Sequence, residues 1–138
     1  MDMNKILVPV DGSKKSFEAL DRALMLAGFT HGEVTCVHVI PHVQEGGPRT
    51  KTFDKHLKED AEIILKKAQK RAGNKNVKLK TKILRGSPSH ETLTVAKNGK
   101  FDHIVMSTTG SGSAKGDMLG SVSNHILHKS KIPVYLIK

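Results

Sequence analysis

Five short apolar runs, each followed or preceded by a stretch with helical spacing, constrain this chain more than anything else in it. They are residues 4–10 (NKILVPV), 33–40 (EVTCVHVI), 77–84 (VKLKTKIL), 103–106 (HIVM) and 132–137 (IPVYLI). Between the first two, Phe17, Leu20, Leu24 and Ala27 recur every three or four positions, which predicts an amphipathic helix over about 13–28 and a turn over 28–32. After a loop at 41–50, Phe53, Leu57, Ala61, Ile64, Ala68 and Ala72 predict a long helix ending near Gly73. Gly86-Ser87-Pro88 reads as a helix start, with Ser87 as cap and Pro88 in the first turn, and Asn98-Gly99 as its stop. A last helix is expected at about 120–129. Strand and helix that alternate in this way predict an α/β fold, a parallel sheet with helices on both faces, built as one domain over 1–138.

The third run is different. Its alternation sets Lys78, Lys80 and Lys82 on one side, as in strands that guard a sheet edge against foreign pairing. This bears on charge. The chain carries a net +10, and residues 49–85 alone hold thirteen Lys or Arg against four Asp or Glu, a net of +9. Such a segment could attract nucleic acid. Its lysines are accounted for by the solvent side of the long helix and by the edge strand, and of the chain's five aromatic residues only Phe53 falls inside it. The stacking platforms of single-strand binders are therefore missing, and nucleic acid is not the expected partner.

The fourth run breaks into a ten-residue stretch of Ser, Thr, Gly, Ala and Lys, with Gly110, Gly112 and Gly116, before Gly120-Ser121 opens the last helix. Strand, glycine-rich loop and helix start aim backbone N–H groups at one point, an arrangement suited to an anion and above all to phosphate. Lys115 stands where a P-loop has its second glycine, and Gly110, Gly112 and Gly116 are spaced one residue too long for the dinucleotide fingerprint. The spacing present is Ser107-x2-Gly110-x9-Gly120-Ser121.

That spacing resembles the G-x2-G-x9-G-[ST] signature of the universal stress protein family, with Ser107 in place of the first glycine. The resemblance extends through KILVPVDGS, HVI, GSVSNHIL and IPVYLIK. It implies a five-stranded parallel sheet of order 3-2-1-4-5, Rossmann-like and similar to the adenine nucleotide alpha hydrolases. It also implies a dimeric regulatory or stress-response module that binds ATP or another adenine nucleotide, with Mg2+ or Mn2+ as a possible companion. By the same resemblance Asp11 meets the ribose, the backbone around Pro9, Val10 and Val39 frames the adenine, and Met106, Ser107, Gly110 and Gly120 lie at the phosphates. Ser121, Val122 and Ser123 donate at the helix start. In an order of 3-2-1-4-5 ligands gather where strands one and four part. From the residues alone, Asp11 reads equally well as a helix cap. Serine at 107 costs about 1 kcal/mol if the position needs positive φ, and crowds the ligand if it needs clearance. Its hydroxyl could also donate to that ligand.

The same family contains members without ATP, so a stress protein that binds none is the alternative, beside a slow ATPase. An ATPase needs a base or a metal carboxylate near the phosphates, and Asp117 is the only acid in the loop. No Ser-His-Asp or Cys-His constellation can be read from spacing, and no catalytic residue is assigned. His125 and His128 lack a third metal ligand, and His38, alternating with valines, reads as a satisfied core histidine. The single Cys36 reads as a small buried hydrophobe. No apolar run approaches the ~20 residues of a membrane span, and the expected location is the cytoplasm. A homodimer is expected through the last strand, from Ile132 to Ile137, which has apolar side chains and no protecting charge before Lys138.

Overall fold

The computed structural model describes residues 4–42, 48–73, 75–109 and 119–138. Strands β1 (Lys5–Pro9), β2 (Glu33–Ile40), β3 (Lys78–Arg85), β4 (His103–Ser107) and β5 (Val134–Ile137) alternate with helices α1 (Lys14–Thr30), α2 (Pro48–Ala72), α3 (Pro88–Asn98) and α4 (Ser121–Lys129). The strands form one parallel sheet of order β3-β2-β1-β4-β5. Both the α/β class and the strand order agree with the sequence reading. The two faces are covered separately: Val8, Leu20, Leu24, Cys36 and Val105 belong to the core on one side, and Leu7, Val37, Ile104, Met106 and Ile126 to the core on the other. A strand whose alternate residues enter two cores has no solvent face, which is why β1 and β4 read as unbroken apolar runs. No described helix is long and apolar enough to cross a membrane.

Several boundaries differ from expectation, each for a local reason. Helix α1 continues through Gly28 to Thr30 and ends at His31, whose left-handed backbone (φ 57°) closes it with an N–H bond to the Ala27 carbonyl. An interior glycine costs only about 1 kcal/mol, and the cap that ends the helix is supplied three residues later by His31. Helix α2 starts at Pro48, inside the expected loop, and Phe53 is 54% exposed rather than on the apolar stripe; full burial begins at Ala61. Ser87 is extended and makes no side-chain cap bond, although Pro88 does open α3. At the other end of α3 the left-handed residue is Lys100 (φ 54°), not Gly99. Gly99 is needed for space: a Cβ there would stand 2.5 Å from the Phe101 ring. Strand β5 begins at Val134 and not at Ile132, because Pro133 has no N–H and joins the ladder only by accepting from the Ile104 amide at 3.0 Å.

The edges match the pattern of lysines. β3 is outermost on one side with Lys78, Lys80 and Lys82 exposed, and Lys78 and Lys80 lie 3.8 and 3.7 Å from the Glu33 carboxylate. β5 is outermost on the other side, with Tyr135 42% exposed. Arg85, at the end of β3, donates to both carboxylate oxygens of Asp54 (2.6 and 3.1 Å), tying the start of α2 to that strand. The Arg85 guanidinium holds the Asp54 carboxyl below its ordinary value. Cys36, wholly buried in β2, has its thiol pushed up to about 12 by burial.

Candidate functional site

The C-terminal ends of β1, β2 and β4 do not stop level. The last register partner of Pro9 is Val37, while β2 runs on through His38, Val39 and Ile40 beside β3. In a parallel sheet a residue points its N–H and C=O to the same neighbour, and successive residues alternate sides. Val37 accepts from the Val10 amide at 2.8 Å and so faces β1; Ile40 accepts from the Gly86 amide at 3.0 Å and so faces β3. Val39 therefore presents both its N–H and its C=O on the β1 side, past the end of β1. Among the described residues no backbone bond joins Val39 to β1. A half-buried donor and acceptor side by side can read one edge of a planar polar ring.

Beyond β1 the chain turns at Gly12 (φ +90°), where a Cβ would also come within 3.0 Å of the Ile64 side chain. Helix α1 is capped by Ser13, whose hydroxyl accepts from the Ser16 amide at 3.2 Å. Asp11 is thus not the cap. Its exposed carboxylate accepts from the Ser13 amide at 2.9 Å and stands at the strand end. Of its neighbours, Pro9 is half-buried and Val10 is buried in the core, so the contribution of Val10 here is its backbone.

The β4 side is built around two serines. Ser107 ends the strand, 7% exposed, and its hydroxyl donates to the Thr109 carbonyl at 2.6 Å. The described non-glycine residues with positive φ are His31, Asn76 and Lys100, so serine carries no backbone strain at 107. Of the alternatives raised for this position, positive φ does not apply, and the hydroxyl proton is given to the Thr109 carbonyl. Ser123, also buried, donates its hydroxyl to the Ser107 carbonyl at 2.8 Å, and the Gly120 amide donates to the Thr108 carbonyl at 2.8 Å. These bonds hold the start of α4 against the end of β4. Met106 is buried among Leu7, Ile104 and Ile126, which leaves only its backbone near the strand end. Gly110 lies outside the described residues, as does Asp117.

Gly120 is the N-cap of α4, and the helix's hydrogen bonding opens with the Asn124 amide donating to the Gly120 carbonyl at 2.8 Å. The amides of Ser121, Val122 and Ser123 precede that bond and have no acceptor within the helix. Ser121 and Val122 are exposed, and the first turn of α4 holds no acidic residue that would repel an incoming anion. Among the described residues no group of three His, Cys, Asp or Glu could hold a metal.

Two partners escaped the sequence reading. His38 is satisfied, as read, but half-buried rather than in the core, and its Nδ1 lies 2.8 Å from the Val10 carbonyl; since a carbonyl only accepts, Nδ1 carries the proton. Buried Ser89 and exposed His125 meet at 2.6 Å between α3 and α4. Neither partner is near the other in sequence, so spacing carries no signal for either contact.

Residues 3–138 match the universal stress protein family. The chain is 35% identical to universal stress protein MJ0531 of Methanocaldococcus jannaschii over 97% of its own length and 81% of the relative's. It is 32% identical to universal stress protein YxiE of Bacillus subtilis, covering 98% of this chain and 99% of that one. The solved structure of MJ0577, also from M. jannaschii, superposes with a TM-score of 0.90 at 27% identity, covering 100% and 97% of the two chains. The fold is shared, at 23% and 22% identity, with a universal stress protein of Archaeoglobus fulgidus solved in complex with dAMP (TM-score 0.74) and with a universal stress protein solved in complex with cAMP (TM-score 0.77). Fold, signature and match over nearly the whole chain agree: this protein belongs to the universal stress protein family.

Proposed function

We propose that the chain binds an adenine nucleotide, ATP, between the ends of β1 and β4 and acts as a dimeric regulatory or stress-response module of the cytoplasm. One observation carries this reading: an open Val39 backbone pair, the Asp11 carboxylate and the uncapped amides of α4 all sit at the C-terminal end of the same sheet. The Val39 N–H suits adenine N1 and its C=O suits the N6 amino group. Asp11 accepts from the ribose hydroxyls, and Ser121, Val122 and Ser123 donate to phosphate through their amides. Gly120, with no side chain, lets phosphate approach the helix start, and Gly110 is assigned to the same group. Ser107 acts by clasping the loop rather than by touching the ligand. Any Mg2+ or Mn2+ would ride on the nucleotide's own phosphates. Adenine nucleotides in other proteins of this fold are compatible with the assignment, and the residues named here support it independently.

The dimer is assigned to β5 meeting its own copy antiparallel, the two-fold arrangement that closes an unguarded edge. Residues 1–138 would then act as one unit per subunit.

Mass spectrometry of the freshly purified, denatured protein should release an adenine nucleotide. In calorimetry Asp11→Ala should bind ATP at least about tenfold more weakly than the parent, the loss expected of two hydrogen bonds to a charged acceptor. Unchanged affinity removes Asp11 from the site, and a parent that takes up no adenine nucleotide refutes the reading itself.

A further inference from the structure

We propose that His38 is the positioning residue that keeps the Val39 amide available to a base, and so sets the preference of the site for adenine. The inference rests on the adenine-binding reading given above and concerns a side chain that reading does not use.

The ladder between β1 and β2 has a regular next step. After the Val10 amide donates to the Val37 carbonyl (2.8 Å), the following bond in a parallel pair runs from the Val39 amide to the Val10 carbonyl. β1 instead ends at Pro9, and the Val10 carbonyl is taken by His38 Nδ1 at 2.8 Å. The imidazole belongs to the residue just before Val39 and approaches the same oxygen from the same strand, and among the described residues the Val39 amide makes no bond to that carbonyl. Val39 is left half-buried with a donor and an acceptor that face β1 and, among the described residues, have no backbone bond there. Such groups are normally paired, so a half-buried amide without a backbone partner at a strand end calls for one, and a ligand base can supply it.

The consequence is chemical. With the Val39 N–H open, the strand end offers a donor beside an acceptor. Adenine complements that pair with N1 and the N6 amino group. Hypoxanthine meets it with N1–H and O6, donor against donor and acceptor against acceptor. If the Val10 carbonyl were free, the ladder would close by one rung, consume the donor and leave only the Val39 carbonyl.

The test compares the parent with His38→Phe, which fills the space without a donor, and His38→Asn, whose amide nitrogen stands where Nδ1 stands. Without ligand, hydrogen exchange of the Val39 amide should be fast in the parent and in His38→Asn, and slowed in His38→Phe as the rung forms. In calorimetry with ATP and inosine triphosphate, His38→Phe should lose about tenfold in ATP affinity and most of its preference for ATP, and His38→Asn should recover both. Thermal unfolding of both variants establishes that they fold. A purely structural histidine would change the melting temperature and leave the ratio of the two ligands alone. A Val39 amide already protected in the parent, or a folded His38→Phe with the parent's preference, overturns the inference and leaves adenine binding standing. A parent that binds neither nucleotide overturns the adenine reading and this inference with it.

Discussion

At one edge of the sheet, β3 turns Lys78, Lys80 and Lys82 to solvent, two of them drawn to Glu33, and its end is pinned to α2 by Arg85 and Asp54. At the other edge β5 is four residues long, led in by a proline, and exposes Tyr135 with no charge before Lys138. Both strands offer an unpaired row of backbone groups. The lysines make pairing costly at β3, since a neighbouring strand would have to desolvate them or lie against them. Nothing of that kind guards β5. The asymmetry explains why the chain can be strongly basic and still have one edge prepared for company, and it locates most of the charge on the edge and helix that stay in water.

The largest effect should come from breaking the bare edge. Tyr135→Lys with Ile137→Lys would give β5 the protection β3 already has, and light scattering should report a dimer for the parent and a folded monomer for the double variant. A parent that is monomeric at tens of micromolar, or a double variant that stays dimeric, removes β5 as the seam. Next in size is the converse change. Replacing Lys78, Lys80 and Lys82 by threonine strips the guard from β3, and the protein should gain species larger than the parent in size-exclusion chromatography; an unchanged profile would mean that the short exposed edge protects itself without charge. A smaller effect is expected from Asp54→Asn. Arg85 depresses the Asp54 carboxyl, so the contribution is present above 3.8, its ordinary value, and is lost as pH falls through the lower folded value. The parent should melt above the variant at neutral pH, with the gap closing in acid; a gap independent of pH would assign the effect to packing. The smallest effect is none: in gel shift at ~150 mM salt the basic segment should retain neither DNA nor RNA, since weak phosphate attraction is screened there. Saturable retention would turn the β3 and α2 charge from a guard into a binding surface.

The edges also show how far the sequence could be read. The lysines of VKLKTKIL announced β3 as an edge because alternation in a strand has a fixed geometric meaning, and the apolar runs announced β1 and β4 as central. Helix limits were less legible. Gly28 looks like a stop and is not one, since the left-handed cap falls at His31; Phe53 looks like core and is exposed, since spacing along a helix says nothing about where the sheet beneath it begins to be covered. In the site, Asp11, Val39 and the start of α4 were named from a signature, and the structure brings their elements to one end of the sheet. The roles of the two serines were not legible. Whether Ser107 donates to a ligand or to Thr109 depends on the path of the backbone two residues later, and Ser123 reaches across sixteen positions to the Ser107 carbonyl. The partner of His38 was hidden for the same reason: its alternation with valines describes a face, whereas its contact with the Val10 carbonyl depends on where β1 ends.

Cys36 gives this arrangement a clock. It is the single thiol of the chain, wholly buried in the strand that carries His38 and Val39, and its raised value leaves almost no thiolate near neutrality. A thiol reagent can reach it only when β2 opens, so the rate of labelling counts openings of that strand rather than the reactivity of sulfur. A nucleotide that binds only the closed form would slow the count by its degree of saturation, about a hundredfold at a hundred times its dissociation constant. An unmodified molecule could thus report occupancy of the strand end through its single buried thiol.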